Sequence, residues 1–489
     1  MFLDRLHGQC AQPNRETSLR EEDSTSLFRD DRKSPVMPSC IYIDCTETYL
    51  SGLNTGIQRV VKNIIMRTPI LQNHFDISFV PVIAVGDNYI SLPNLKKIDW
   101  YFKKGRVIRE KLKELYLNLE KVIKKHKIQN TEGTSSLSTD VSWIYTVAVS
   151  VFNWVFFFPI VILSWVERIK GGAIYPKSGE MIFIPDVFWK DSPVINSAEK
   201  ASKNGAVVIP LIHDIFPLLN PDYMHALFVE QFSKGLSRLL EASAGILTTS
   251  KTMQEEIGKY LSAFSSDKAK TLPISFSYLG CDIDLKSEIV QFCSLDDFPF
   301  QDRTSIPYYL MVGTIEPRKG HEVALNAFES LWKEGEQVVL VIVGRIGWKC
   351  QRTLDALKMS PYRDKFLFFY NDISDQNLDC LYKMANGLVF PSLNEGFGLP
   401  LVEAMHYGVP VIASDLPVFH EIAKEYPYYF RTGDSRDLAR VIKEHIHEIS
   451  VSKKKLQPQE WLTWDDATKN FITKLIDFYR NHIVFERGY

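Results

Sequence analysis

Apolar runs of strand length alternate twice over with amphipathic stretches of helix length, and that pattern constrains the fold of this chain more than any other feature. The first series comprises IYIDC (41–45), the helix-like TGIQRVVKNIIMRT, DISFVPVIAV (76–85), MIFIPD (181–186), AVVIPLIHD (206–214), a helix around 224–242 and GILTTS (245–250). The second begins at YYLMVGT (308–314) and continues through VVLVIVG, FLFFY, GLVFPS and VPVIAS, separated by helix-length segments. Continuous apolar strands are buried on both faces, so each series predicts a parallel sheet covered by helices. Two series separated by a variable stretch at roughly 285–305 predict an α/β protein with two Rossmann-like domains facing each other, with ligands beyond the carboxyl ends of the strands.

An insertion at 103–172 interrupts the first series. Residues 103–127 carry ten Lys/Arg and three Glu, and 141–166 then run 26 residues without a charge. At about 1.5 Å per residue, a single helix of that length exceeds the ~30 Å bilayer core. One crossing is incompatible with a parallel sheet whose strands lie on both sides of the insertion. The run is therefore expected as a re-entrant or interfacial hairpin bent near Asn153 and Pro159, with Trp143, Trp154 and Trp165 at the headgroups and the basic stretch on anionic lipid. The alternative is a helical hairpin packed on its own domain or at a dimer interface.

Composition narrows the rest. With 57 Lys+Arg against 59 Asp+Glu the net charge is −2, so no long-range field attracts nucleic acid. Seven scattered cysteines without a CxxC pair support neither a zinc cage nor a disulfide framework and favour a reducing cytosol. The opening residues, MFLDRLHGQC, lack the apolar run of a signal peptide, and residues 1–38 read as a disordered tail.

Two segments carry chemistry. YLMVGTIEPRKGHEVALNAF places a strand, Gly313, the adjacent cations Arg318 and Lys319, a second glycine and a helix starting near Lys319. Free helix-start amides and two cations suit a diphosphate, although a solvated helix start has the same pattern. In FPSLNEGFGLPLVEAMHYGVPVIAS (390–414), Pro400 fits a first helical turn, and Gly396 and Gly398 free the preceding loop to bring its amides against a ligand. Glu395 then lies in the loop and Glu403 in the helix, where each could bind a polyol or be merely solvated.

Together, GTIEPRKG and EGFGLPLVEAMHYGVPVIAS resemble the retaining nucleotide-sugar glycosyltransferases of glycosyltransferase family 4, and the E-x7-E spacing of Glu395 and Glu403 matches the family signature. The resemblance implies a GT-B fold: an N-terminal Rossmann-like acceptor domain (39–300) holding the insertion, a nucleotide-sugar domain (301–458) across a cleft, and a terminal helix (459–489) that braces the N-terminal domain. LSGLNTGIQRVVKNII (50–65) is similar to the family's first glycine turn, with Gly56 near the donor diphosphate and Thr55 a helix cap. VVIPLIHDIFPLLNPDY is similar to its His-Asp segment.

The family analogy implies that Arg318 and Lys319, with amides from Gly396 through Phe397 and Gly398 to Leu399, stabilise the leaving diphosphate. It gives Glu403 the ribose, Glu395 the sugar ring, and His213 a sugar hydroxyl near the acceptor; for His213 a core histidine is the alternative. Asp282 and Asp284 form a weak D-x-D, and no essential metal or cofactor is expected. The expected activity is transfer of a sugar, with retention, from a nucleoside diphosphate, weakly GDP-mannose, to a glycan or lipid-linked acceptor at the cytosolic membrane face. TGIQRVV is similar to bacterial O-antigen and capsule enzymes. A non-catalytic nucleotide-sugar-binding or membrane scaffold protein, and a nucleotide-sugar epimerase, are the alternatives. Base recognition is expected in 369–378.

Overall fold

The computed structural model describes residues 37–51, 55–91, 172–189, 193–263, 267–281, 306–371, 373–451, 457 and 459–486. The segment 1–36 of the expected tail, the basic and apolar stretches of the insertion, and Asp282 and Asp284 lie outside the described residues. Among the described residues, no helix is long and apolar enough to cross a membrane. Cys40, Cys45, Cys281 and Cys350 are buried, whereas Cys380 is disulfide-bonded, a cross-link that the cysteine spacing did not signal.

The described residues group into two compact units. The first contains β1 (Cys40–Asp44), β2 (Ser78–Val85), β3 (Asn88–Ser91), β4 (Ala173–Ile174) and β5 (Glu180–Ile184). β1 runs parallel to β2 and β5, pairing Ile41 with Phe79 on one side and Met181 on the other. Ile41, Ile43, Met181 and Phe183 are fully buried, as strands covered on both faces require. β3 turns back antiparallel on β2, and β4 on β3. The helix Pro193–Lys203 lays Val194, Ala198 and Ala201 on β2 and β3, at i, i+4 and i+7.

The second unit holds the helix Gly56–Phe75 and the chain from Ile209 onward. Pro69 lies within that helix and supplies no N–H to the carbonyl of Ile65; the Thr68 hydroxyl donates to that carbonyl instead, at 2.9 Å. β6 (Val207–Ile212), β7 (Ile246–Thr248) and β8 (Ile274–Phe276) are parallel neighbours.

β9 (Tyr308–Val312), β10 (Val339–Val343), β11 (Leu367–Tyr370), β12 (Gly387–Phe390), β13 (Val411–Ser414) and β14 (Tyr428–Phe430) form a six-stranded parallel sheet in the order β11-β10-β9-β12-β13-β14. That is the doubly wound Rossmann order, whose direction reverses between β9 and β12. The helix His321–Lys333 packs Ala324, Leu325 and Phe328 into the core with Tyr309, Leu340 and Ile342. Burying Phe328 alone contributes roughly 1.5–3 kcal/mol. The Tyr309 hydroxyl finds its partner in Nδ1 of His445 at 2.7 Å.

The terminal helix Trp464–Glu486 packs on the helix Gly56–Phe75 and buries Phe471, Ile472 and Leu475 completely. Its start is fixed by backbone: Cys281 N–H donates to Leu462 O at 2.9 Å, and a Cβ on Gly280 would lie 2.6 Å from Cα of Trp464.

Candidate active site

The loops after β9 and β12 leave the sheet on either side of the switch point, and main-chain geometry zips them together. Leu393 N–H donates to Arg318 O at 2.7 Å. Pro317–Lys319 form a 3-10 turn closed by Gly320 at φ 71°, and a Cβ on Gly320 would meet the Pro391 carbonyl oxygen at 1.9 Å. Only glycine fits both the left-handed backbone and that approach. The following helix therefore starts at His321, two residues later than the apolar pattern places it.

This zip brings the charged residues together. Lys319 Nζ donates to Glu395 Oε1, which also accepts from Ser392 Oγ at 2.8 Å. Arg318 pairs with Glu316 through Nε and lies 3.5 Å from Glu395 Oε2 and 3.6 Å from Asp214 Oδ2 through Nη1, with its guanidinium 5.7 Å from the centre of the Phe216 ring. Burial pushes the Glu395 carboxyl up, but the charges of Lys319 and Arg318 and the bonds from Lys319 and Ser392 outweigh it and hold it below the usual carboxylate range. Burial depresses Arg318, yet Glu316, Asp214 and Glu395 together raise it. Glu316 is pushed up by burial, which its neighbouring cations only partly offset.

The loop leading to the second helix start is equally constrained. The Gly396 carbonyl accepts Thr249 Oγ1 at 3.0 Å and Ser250 Oγ at 2.8 Å. His213, half-buried at the end of β6, sets its carbonyl against Gly396. Phe397 is buried against Tyr278 and Trp461, with ring centres 6.4 and 5.9 Å away. Gly398, at φ 107°, caps the helix Leu399–His406, so the amides of Leu399 and its neighbours open the helix next to Glu395.

The structure gathers Gly313, Arg318, Lys319, Glu395, Gly396 and His213 around one region of the second unit. Gly313 donates to Val343 O at 2.9 Å, and its own carbonyl is approached so closely by Gly344 that a Cβ there would lie 1.7 Å away. Glu403 makes a different set of contacts: buried in the helix, it pairs with Arg59 and accepts Tyr382 Oη at 2.9 Å. Gly56 opens the helix that carries Arg59, and Thr55 there donates its hydroxyl to Gln58 Oε1.

Sequence reasoning passed over Glu316, Asp214, Ser392, Thr249, Ser250, Arg59 and Tyr382. Glu316 and Ser392 stand inside the two quoted segments, and Asp214 beside His213. Arg59 stands inside the segment 50–65, but no local pattern joins it or Tyr382 to Glu403. Among the described residues, no group of three or more His, Cys, Asp or Glu is arranged to hold a metal.

A Rossmann-ordered parallel sheet with two glycine-bearing loops at its switch point, together with a second, mainly parallel α/β sheet, defines a GT-B fold. Residues 296–456 match the family described as Glycosyl transferases group 1, so the chain carries a domain of that kind. It is 34% identical over 278 residues to the serotype-specific mannosyltransferase WbdA of Escherichia coli, across 55% of this chain and 34% of that protein. The chain thus spans about a third of the length of the first curated relatives it matches. It is 30% identical over 241 residues to the O-antigen chain mannosyltransferase RfbU of Salmonella typhimurium LT2, across 47% of this chain and 59% of that one. The crystal structure of Anabaena Alr3699/HepE in complex with UDP and glucose aligns over 92% of this chain and 99% of its own, with a TM-score of 0.50 and 13% identity, a likeness of fold.

Proposed function

We propose that this chain is a retaining glycosyltransferase that moves a sugar from a nucleoside diphosphate to a glycan or lipid-linked acceptor in surface polysaccharide biosynthesis. The observation that carries the reading is the cluster of Arg318, Lys319 and Glu395 beside the helix start at Leu399, at the switch point of the sheet. Similarity to WbdA and RfbU, both mannosyltransferases, favours mannose, and with it GDP-mannose, as donor.

In the reaction, the bond between the sugar's anomeric carbon and the diphosphate oxygen breaks, and an acceptor hydroxyl oxygen bonds to that carbon on the same face. The hydroxyl proton passes to the departing phosphate. Negative charge grows on the leaving oxygen, where Arg318, Lys319 and the amides opening the helix at Leu399 stabilise it more in the transition state than before it. Glu395, held ionised by Lys319, would accept hydroxyls of the transferred sugar, Glu403 those of the ribose, and His213 a hydroxyl near the acceptor. Because Arg318 and Lys319 supply the positive charge, the reading calls for no metal or cofactor. The basic stretch 103–127 and the apolar run 141–166 support association with an anionic membrane surface from the cytoplasmic side.

The test is release of nucleoside diphosphate by the full chain from GDP-mannose and from UDP-, ADP- and dTDP-sugars, with and without a glycan acceptor. Acceptor-dependent release that falls about 100-fold or more in Lys319→Ala supports the proposal. Binding without turnover would favour a scaffold, and an altered sugar formed without acceptor an epimerase.

A further inference from the structure

Arg59 and Glu403 stand 344 residues apart in the chain and form an ion pair, Nη2 of the arginine on Oε1 of the carboxylate. The second carboxylate oxygen accepts the Tyr382 hydroxyl at 2.9 Å. These two partners are held very differently. Tyr382 is fully buried and stacked on Tyr407 at 5.4 Å between ring centres, and the Tyr407 hydroxyl is itself engaged by Asp379. Its position is fixed. The Glu403 side chain is 6% exposed but that of Arg59 is 40% exposed, so the guanidinium forms the solvent-facing side of the pair.

A ribose diol binding Glu403 needs acceptor lone pairs on a carboxylate whose accessible side Arg59 covers. Displacing the guanidinium uncovers that side and leaves the Tyr382 bond in place. The displaced cation then needs an anion, and the same ligand supplies one: its diphosphate is joined to the 5′ carbon of the ribose, one sugar ring from Glu403 and within the reach of an arginine side chain. Arg59 also lies in the first turn of the helix Gly56–Phe75, where the N-terminal dipole favours a nearby anion.

We propose that Arg59 and the donor's ribose exchange places on Glu403, the ribose hydroxyls taking the carboxylate and the guanidinium moving to the diphosphate. Arg59 is then at once a competitor of the nucleoside part and a ligand of the phosphate part. This deepens the proposed function and rests on its assignment of the ribose to Glu403.

The experiment measures binding of uridine, guanosine, adenosine and thymidine, and separately of pyrophosphate, to the full chain and to Arg59→Ala and Glu403→Gln. Arg59→Ala is expected to bind the preferred nucleoside about two- to fivefold more tightly, the gain from removing a half-exposed ion pair. It should bind pyrophosphate roughly tenfold or more weakly, the loss of a charge-assisted hydrogen bond. Nucleoside binding that is unchanged or weaker in Arg59→Ala, while Glu403→Gln weakens it, overturns the exchange and leaves the ribose assignment standing. Nucleoside binding unaffected by Glu403→Gln, or undetectable for all four nucleosides, overturns both. Should Arg59→Ala fail to fold, Arg59→Lys carries the same test: it keeps the charge but loses the planar fork, and must also tighten nucleoside and weaken pyrophosphate.

Discussion

Gly396 lies so close to His213 that a Cβ on the glycine would sit 1.9 Å from the histidine's carbonyl oxygen. The loop after β12 is pressed against the end of β6 at this point and also receives the hydroxyls of Thr249 and Ser250. Gly396→Ala must therefore push the loop away, costing about 1–3 kcal/mol by overpacking and moving Glu395 from Lys319. Gly56 is the control, because among the described residues a Cβ there meets nothing within 4 Å. Gly56→Ala should leave stability unchanged or raise it by up to about 1 kcal/mol. Urea midpoints of the two variants check this; equal midpoints would mean that the loop yields freely.

What the sequence made legible, and what it hid, follows from the range of the forces involved. The long strands were readable because burial on both faces demands unbroken apolar runs, as in Val339–Val343. β4, two residues long, and β8, three, leave no such run. The loops after β9 and β12 were readable because glycines and cations are local signals. The long-range pairings were not: Arg59 with Glu403, and Arg318 with Asp214, meet only through the tertiary fold. The helix start slipped from Lys319 to His321 because Gly320 adopts a left-handed backbone, which apolar spacing does not encode.

Acid should loosen the site through Glu395. Its carboxyl is held below its ordinary value of 4.5 in the folded protein, so it contributes stability that is fully present above that value and lost as pH falls through the lower folded one. Glu316, pushed up by burial, acts in the opposite direction, so the useful quantity is the difference between the wild type and Glu395→Gln. The wild type should lose stability relative to the variant below about pH 4.5, by at most about 1.4 kcal/mol per pH unit. Denaturation curves between pH 3 and 6 measure it, and parallel profiles would contradict the pairing.

The first unit has the reverse behaviour. Asp44 ends β1 wholly buried, accepting from Thr46 N–H at 3.2 Å and Thr46 Oγ1 at 2.9 Å, and Asp186 after β5 accepts from Thr48 N–H at 2.7 Å. Burial, then the neighbouring Asp186 charge, push Asp44 up to about 8, and burial pushes Asp186 up to about 6. A raised carboxyl binds its proton more tightly in the folded state, so stability falls as pH rises from about 4 towards 8, with a slope of up to about 1.4 kcal/mol per unit for each group. Asp44→Asn should abolish the slope between about pH 6 and 8 and leave only the Asp186 share below that. Chemical denaturation from pH 5 to 9 reads it directly, and an unaltered slope would place the titration elsewhere.

Glu421 clasps the start of the helix Lys251–Ser262: its two oxygens accept the N–H groups of Lys251 and Thr252, each at 2.7 Å, and one also takes the Thr252 hydroxyl. A carboxylate on free helix-start amides is favoured both by hydrogen bonding and by the helix dipole. The two residues preceding this helix, Thr249 and Ser250, hold the Gly396 carbonyl, so the clasp fixes the segment that shapes the candidate active site. Glu421→Ala should cost about 1–2 kcal/mol of stability and weaken binding of the proposed nucleotide-sugar donor, with Arg318 and Lys319 untouched. Glu421→Gln, which keeps one acceptor oxygen, should fall between. A variant that loses stability but keeps the wild type's affinity for the proposed donor would separate the clasp from the site.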